Sequence, residues 1–171
     1  MTGERLFFAI WPGPACAAAL EELSRTLARA ADGRAVPAEK IHLTLAFLGH
    51  MPVERIASAE EAACFRARAV DGALDHVGSF RRAAVAWAGM SDPPPALLQL
   101  QAKLVARLAE RGFALEERPF TPHVTLARRI RRPVARAAIE AIAWEARELT
   151  LVRSESGTGR YTITKRWPLG A

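Results

Sequence analysis

One short phrase occurs twice in this chain. His42-Leu43-Thr44-Leu45-Ala46 returns 81 residues later as His123-Val124-Thr125-Leu126-Ala127. Both copies read as strands. Successive side chains of a strand alternate faces, so the His and Thr of one copy point the same way and the Leu or Val between them points the other. Two such strands brought together present two imidazoles and two hydroxyls to one pocket. That set supplies an acid, a base and two hydrogen-bond donors for an anion.

The phrases sit inside a longer duplication. Residues 42–57 and 123–138 share eight identities in sixteen positions, among them Pro52 with Pro133 and Val53 with Val134. Around each copy the order reads strand, proline-started helix, then paired strands. This predicts an α+β fold of two pseudo-symmetric lobes, each a small antiparallel sheet with helices on its outer face. The active cleft would lie between the lobes, and residues 1–171 would form one bilobal domain.

Local signals fill in the elements. RLFFAIW at 5–11 is a short apolar run closed by Pro12, as expected of a buried strand. Cys16, Leu20, Leu23, Leu27 and Ala30 recur at helical spacing, with Gly33 beyond them. The first motif strand spans 41–48 and stops at Gly49; a helix follows over about 52–69. Residues 73–80 and 83–89 read as strands joined by Arg81-Arg82. Pro93-Pro94-Pro95 opens a helix with Leu97, Leu100, Leu104 and Leu108 on one face, ended by Gly112. The second motif strand covers about 121–128, a short amphipathic helix 134–143, and a closing hairpin 146–153 and 159–167.

Bulk composition narrows the function classes. The formal net charge is +6, which suits acidic partners such as nucleic acid or phosphorylated small molecules. Of 24 basic residues only Lys40, Lys103 and Lys165 are lysine, a pattern that codon bias alone could also produce. Cys16 and Cys64 lie among alanines and are expected to be buried free thiols. No apolar stretch reaches membrane-spanning length, and no signal core precedes the first strand. The reading is a cytoplasmic protein with no membrane association, and a monomer.

The duplicated residues suit hydrolysis of a strained cyclic phosphodiester. One imidazole takes a proton from water while the other protonates the departing oxygen, tasks suited to a free pKa near 6.5. Thr44 and Thr125 would each donate to a non-bridging oxygen and stabilise its growing charge. A zinc or dinuclear site would need further ligands, and neither motif strand carries Asp or Glu. The expectation is no metal and no cofactor. There is no G-x-S-x-G, P-loop or dinucleotide fingerprint.

The paired tetrads, with RLFFAIWP, HLTLAFLG at 42–49 and PFTPHVTLAR at 119–128, resemble the 2H phosphoesterase superfamily. Within it they resemble the RNA 2',3'-cyclic phosphodiesterases, also named 2'-5' RNA ligases. The resemblance implies opening of an RNA or nucleotide 2',3'-cyclic phosphate to a 2'-phosphate, with 2'-5' joining as the reverse reaction. It implies His42 as proton donor and His123 as proton acceptor. Phe47 and Arg128, each five residues after a motif histidine, are the substrate-binding candidates, expected to sandwich one nucleobase. His50 would sit at the cleft rim, and His76 has no evident role. The tryptophans read mostly as packing, and Tyr161 as a cleft candidate. The alternatives are a nucleotide- or RNA-binding module without turnover, and the same chemistry on a different small cyclic phosphate.

Overall fold

A computed structural model describes residues 4–170. Nine strands form one sheet, β7-β4-β5-β6-β3-β1-β8-β9, with the short β2 (Arg34–Ala35) pairing β6. Every registered strand pair is antiparallel. The two motif strands, β3 (Leu43–Met51) and β6 (His123–Arg128), are the central neighbours. A single registered pair joins them, Leu43 with Val124. On one side lie β1 (Glu4–Ile10), β8 (Glu148–Ser154) and β9 (Tyr161–Pro168). On the other lie β5 (Val85–Gly89), β4 (Val70–Phe80) and β7 (Ala137–Ala146).

Alternation decides which face each motif residue takes. Leu43, Leu45, Val124 and Leu126 are buried in one core that runs beneath both motif strands. His42, Thr44, His123 and Thr125 are only partly buried. Two long helices cover the core face. Helix α1 (Pro14–Ala30) lies against β6, β2 and β7; α3 (Pro95–Glu110) lies against β3, β4 and the short α2 (Ile56–Ala62). Each long helix starts on a proline, whose missing N–H would have no partner in the first turn. The stripe Leu97, Leu100, Leu104 and Leu108 is wholly buried, as its spacing predicts.

Four local expectations are corrected. Residues 134–143 are not a helix: β7 occupies Ala137–Ala146 and pairs with β4 as an edge strand. The register is irregular between Leu74 and His76, and Ile139 and Ile142, three residues apart, both lie against the core. That spacing imitates a helix, while the exposed edge of β4 supplies the hydrogen bonds that make it a strand. The duplication therefore stops being structural after the motif strands. Gly49 does not end β3; it sits at φ 73° where the β1 register shifts, and the strand continues to Met51. The helix expected over 52–69 is a 3-10 turn at Val53–Arg55 followed by α2. Of the two free thiols, Cys16 is buried but Cys64 is exposed.

Candidate active site

The site follows from the register of β3 and β6. Extending the Leu43–Val124 pairing one step each way sets His42 opposite Thr125 and Thr44 opposite His123. On that register the four side chains share the face away from the core and would mark the corners of a square. In such a pair, opposed residues stand about 5 Å apart and diagonal ones roughly 7–8 Å. The two histidines occupy one diagonal and the two threonines the other. That spacing accommodates one tetrahedral anion between two imidazoles.

Each motif strand carries a bulge at the same place. Against β1, Ala9 pairs with Thr44 and Phe8 with Ala46, so Leu45 has no opposite residue. Against β5, Trp87 pairs with Thr125 and Ala86 with Ala127, so Leu126 has none. An extra residue reverses the alternation beyond it. Phe47 and Arg128 would otherwise face away from their histidines; the bulges turn both onto the site face, where both are exposed. The helix beneath each bulge ties down its carbonyl. Gln101 of α3 donates from Nε2 to the Leu45 oxygen at 3.4 Å. On the other side the buried Ser24 hydroxyl of α1 lies 2.6 Å from the Leu126 oxygen and accepts the Val36 N–H at 2.9 Å. Helical spacing puts Ser24 on the buried face of α1, four residues after Leu20 and three before Leu27, and only its polar character hides it as a core residue.

Both imidazoles are held in one tautomer. His42 Nδ1 lies 2.7 Å from the Lys40 carbonyl oxygen, and His123 Nδ1 lies 2.7 Å from that of Thr121. A carbonyl only accepts, so each Nδ1 carries a hydrogen and each Nε2 is the nitrogen free to exchange protons.

Their surroundings differ. The His42 ring stacks between Phe7, at 5.0 Å, and Trp11, at 4.8 Å, with the edge of Tyr161 at 5.6 Å. Burial pushes its pKa from 6.5 down to about 4 against the opposing pull of the Lys40 hydrogen bond, and the charges of Arg128 and His123 push the same way. His42 is therefore neutral in the empty site at pH 7. His123 meets only edges, Phe80 at 5.2 Å and Trp87 at 6.4 Å. Trp11 and Trp87, expected as packing, thus line the site, and Tyr161 reaches it. Their role was hidden because it depends on which strand lies next to which.

Open space flanks the square on both sides. A cleft of about 730 Å³ adjoins Thr44 and His123, with Phe47, Phe80, Arg81 and Arg118 on its walls. A second, of about 740 Å³, adjoins His42 through Trp11, Lys40 and Tyr161. Arg81 and Arg82, legible only as a turn between strands, line the first. The one-base sandwich of Phe47 and Arg128 is not formed. They lie four residues beyond the central pair on antiparallel strands, in opposite directions, so roughly 25 Å separates them. Phe47 is 44% exposed, with the Arg5 guanidinium 4.9 Å from its ring centre. Arg128 sits at the His42 end, paired with Arg34 and Val85. His50 is exposed near the end of β3. Among the described residues, no three His, Cys, Asp or Glu side chains converge to hold a metal ion. Nor is any helix among them long and apolar enough to cross a membrane.

The chain is similar to known proteins over most of its length. The family profile of the 2'-5' RNA ligase superfamily matches residues 11–158. An RNA 2',3'-cyclic phosphodiesterase of Escherichia coli is 37% identical over 149 residues, covering 80% of each chain. One from Thermus thermophilus is 30% identical over 167 residues, covering 88% of this chain and 82% of its own. The crystal structure of E. coli LigT complexed with 3'-AMP superposes with a TM-score of 0.84 at 34% identity, covering 99% of both chains. With the duplicated His and Thr brought onto two adjacent central strands, and likeness running the length of the chain, this protein belongs to the 2'-5' RNA ligase superfamily.

Proposed function

We propose that this protein is a hydrolase that opens RNA or nucleotide 2',3'-cyclic phosphates to 2'-phosphates without a metal ion. The observation that carries the reading is the diagonal placement of two imidazoles, each with Nδ1 tied to a carbonyl and Nε2 left to work. Relatives named RNA 2',3'-cyclic phosphodiesterases support the substrate class.

The reaction runs along the histidine diagonal. The cyclic phosphate sits between the rings, and Thr44 and Thr125 donate to its non-bridging oxygens. His123 Nε2 accepts a proton as the water oxygen attacks phosphorus. The bond from phosphorus to O3' breaks, and His42 Nε2 delivers its proton to that oxygen. The 2'-phosphate remains. His42 must then arrive protonated although its empty-site pKa is near 4. The anionic phosphodiester supplies the counter-charge, and the stacked faces of Phe7 and Trp11 favour a cationic ring. Substrate and proton therefore bind together. The same geometry, with a 5'-hydroxyl in place of water as the nucleophile and O3' again the leaving oxygen, joins RNA ends through a 2'-5' bond. Phe47 and Arg128, at opposite ends of the motif strands, contact different parts of the substrate.

The empty-site pKa taken alone favours His42 as the base, and leaving-group chemistry separates the two assignments. A 3'-thio cyclic substrate expels thiolate without protonation. His42→Ala, slowed about 100-fold or more on the oxygen substrate, recovers most of its rate on the sulfur one, whereas His123→Ala does not. Recovery by the other variant reverses the roles. Turnover of 2',3'-cyclic AMP that survives excess EDTA supports the metal-free reading, and loss of turnover ends it. A chain that binds the cyclic nucleotide without converting it is a binding module.

A further inference from the structure

His42 and His123 share a motif but not a mounting. His42 stacks directly on Trp11, the residue one step beyond β1's pairing of Ile10 with Leu43. The corresponding position beside His123 is Gly89 of β5. Its neighbour on the next strand is His76, so His76, Gly89 and His123 form one row across β4, β5 and β6. The adjacent row is Gly78, Trp87 and Thr125.

The two glycines create a seat. A methyl group on Gly78 would lie 2.6 Å from Trp87 Cζ2, so the indole rests directly on the Gly78 backbone. A methyl on Gly89 would lie 3.0 Å from His76 Cε1 and 3.1 Å from Trp87 Cζ3, so both rings lean over that backbone. Trp87 is 7% exposed and places its ring 5.3 Å from His76 on one side and 6.4 Å from His123 on the other. Phe80, tilted against Trp87 at 5.3 Å, completes the wall beside His123.

His76 is anchored in turn. Its Nδ1–H donates to Asp75 Oδ1 at 2.8 Å, and Arg136 Nη2 lies 3.2 Å from its Nε2. Asp75 also accepts the Ser91 N–H at 3.0 Å and the Ser91 hydroxyl. Ordinary packing would not require two hydrogen-bonded ring nitrogens and two glycines to hold one indole.

We propose that Trp87, seated on Gly78 and Gly89 and braced by the Asp75-anchored His76, is a positioning residue that sets the direction of the His123 imidazole. The proposal rests on the two-histidine reading above. Among the described residues His123 has one hydrogen bond to its ring and meets Phe80 and Trp87 in T-shaped contacts rather than stacks, so those two rings are what limits its rotation about that bond. Trp87 is the limit on the side facing β5. Losing it misaims Nε2, an error of the kind that costs about 10- to 100-fold in rate.

The test compares full-length Trp87→Ala, Trp87→Phe and Gly89→Ala with the parent protein on 2',3'-cyclic AMP. Trp87→Ala and Gly89→Ala are expected to lower kcat about 10-fold or more with KM within about twofold. Trp87→Phe, which keeps an aromatic edge, is expected to recover most of kcat. Parental kcat in Trp87→Ala and Gly89→Ala overturns the proposal, even with a lowered melting temperature. So does a Trp87→Phe variant as slow as Trp87→Ala. Should Trp87→Ala fail to fold, Gly89→Ala decides, because it retains the indole and displaces it. His123→Ala separates the layers: parental activity there defeats the two-histidine reading. Its inactivity beside unaffected Trp87 and Gly89 variants defeats only this proposal.

Discussion

Mild acid should weaken the fold through His42. In the unfolded chain its imidazole titrates near 6.5; in the fold, burial between Phe7 and Trp11 brings that down to about 4. Between those values the unfolded state holds the proton and the folded state does not. Stability therefore rises with pH across that window. The contribution is complete above about pH 6.5, is lost as pH falls towards about 4, and changes no further below. At about 1.4 kcal/mol per unit, the full shift corresponds to roughly 3 kcal/mol, of which about 2 kcal/mol falls between about pH 7 and pH 5. Other groups titrate in the same range, so the informative quantity is a difference. Urea unfolding of the parent and of His42→Gln at both pH values gives it. The parent should lose about 2 kcal/mol more than the variant on acidification. Equal losses would mean that the ring is not buried as its aromatic neighbours require. A competitive phosphate monoester, by supplying negative charge at the site, should shrink the difference.

Other consequences follow from single contacts. Ser24→Ala removes the hydroxyl shared by the Leu126 bulge carbonyl and the Val36 amide, which keep their bond to each other at 2.9 Å, and should cost about 0.5–1.5 kcal/mol in urea unfolding. Thr44→Val and Thr125→Val keep the strand shape and remove one donor each; kcat/KM for a cyclic nucleotide should fall about 10- to 100-fold, while serine in either place retains most of it. Burial pushes the Cys16 thiol up to about 11, and Cys64 is exposed. A maleimide at neutral pH should therefore label the native protein once, at Cys64; two labels would show that α1 opens readily.

Much of the site was legible because its chemistry lies in a repeated local pattern. A His and a Thr two residues apart share a strand face wherever the strand is placed, and duplication brings the second pair. The helices were legible from prolines at their starts and leucines at helical spacing. What failed was set by neighbours. The alanine-rich segment at 134–143 carries a three-residue apolar spacing, and only the unpaired edge of β4 makes it a strand. The bulges at Leu45 and Leu126 leave no mark in composition, yet they decide where Phe47 and Arg128 face. The antiparallel register then sends those two residues to opposite ends, which five-residue spacing alone cannot reveal. Trp11 and Trp87 read as packing because nothing local says which histidine each will meet.

The division of labour proposed for the two His-x-Thr motifs has to come from outside them. Backbone geometry is the same in both copies: a histidine tied at Nδ1 to the carbonyl two residues earlier, a threonine on the same face, a bulge at the following leucine. An acid and a base nevertheless need different proton affinities at one pH. The flanking strands give the two rings different surroundings. β1 offers the faces of Phe7 and Trp11, which dehydrate His42 and make its charge depend on a bound anion. β5 offers Gly89 and the edge of Trp87, which leave His123 against ring edges and beside the 730 Å³ cleft. A tryptophan opposite one histidine and one row removed from the other is enough to break the symmetry. Removing the aromatic support from β1 should therefore relieve the burial of His42 and raise its pKa from about 4 towards 6.5 without altering either motif.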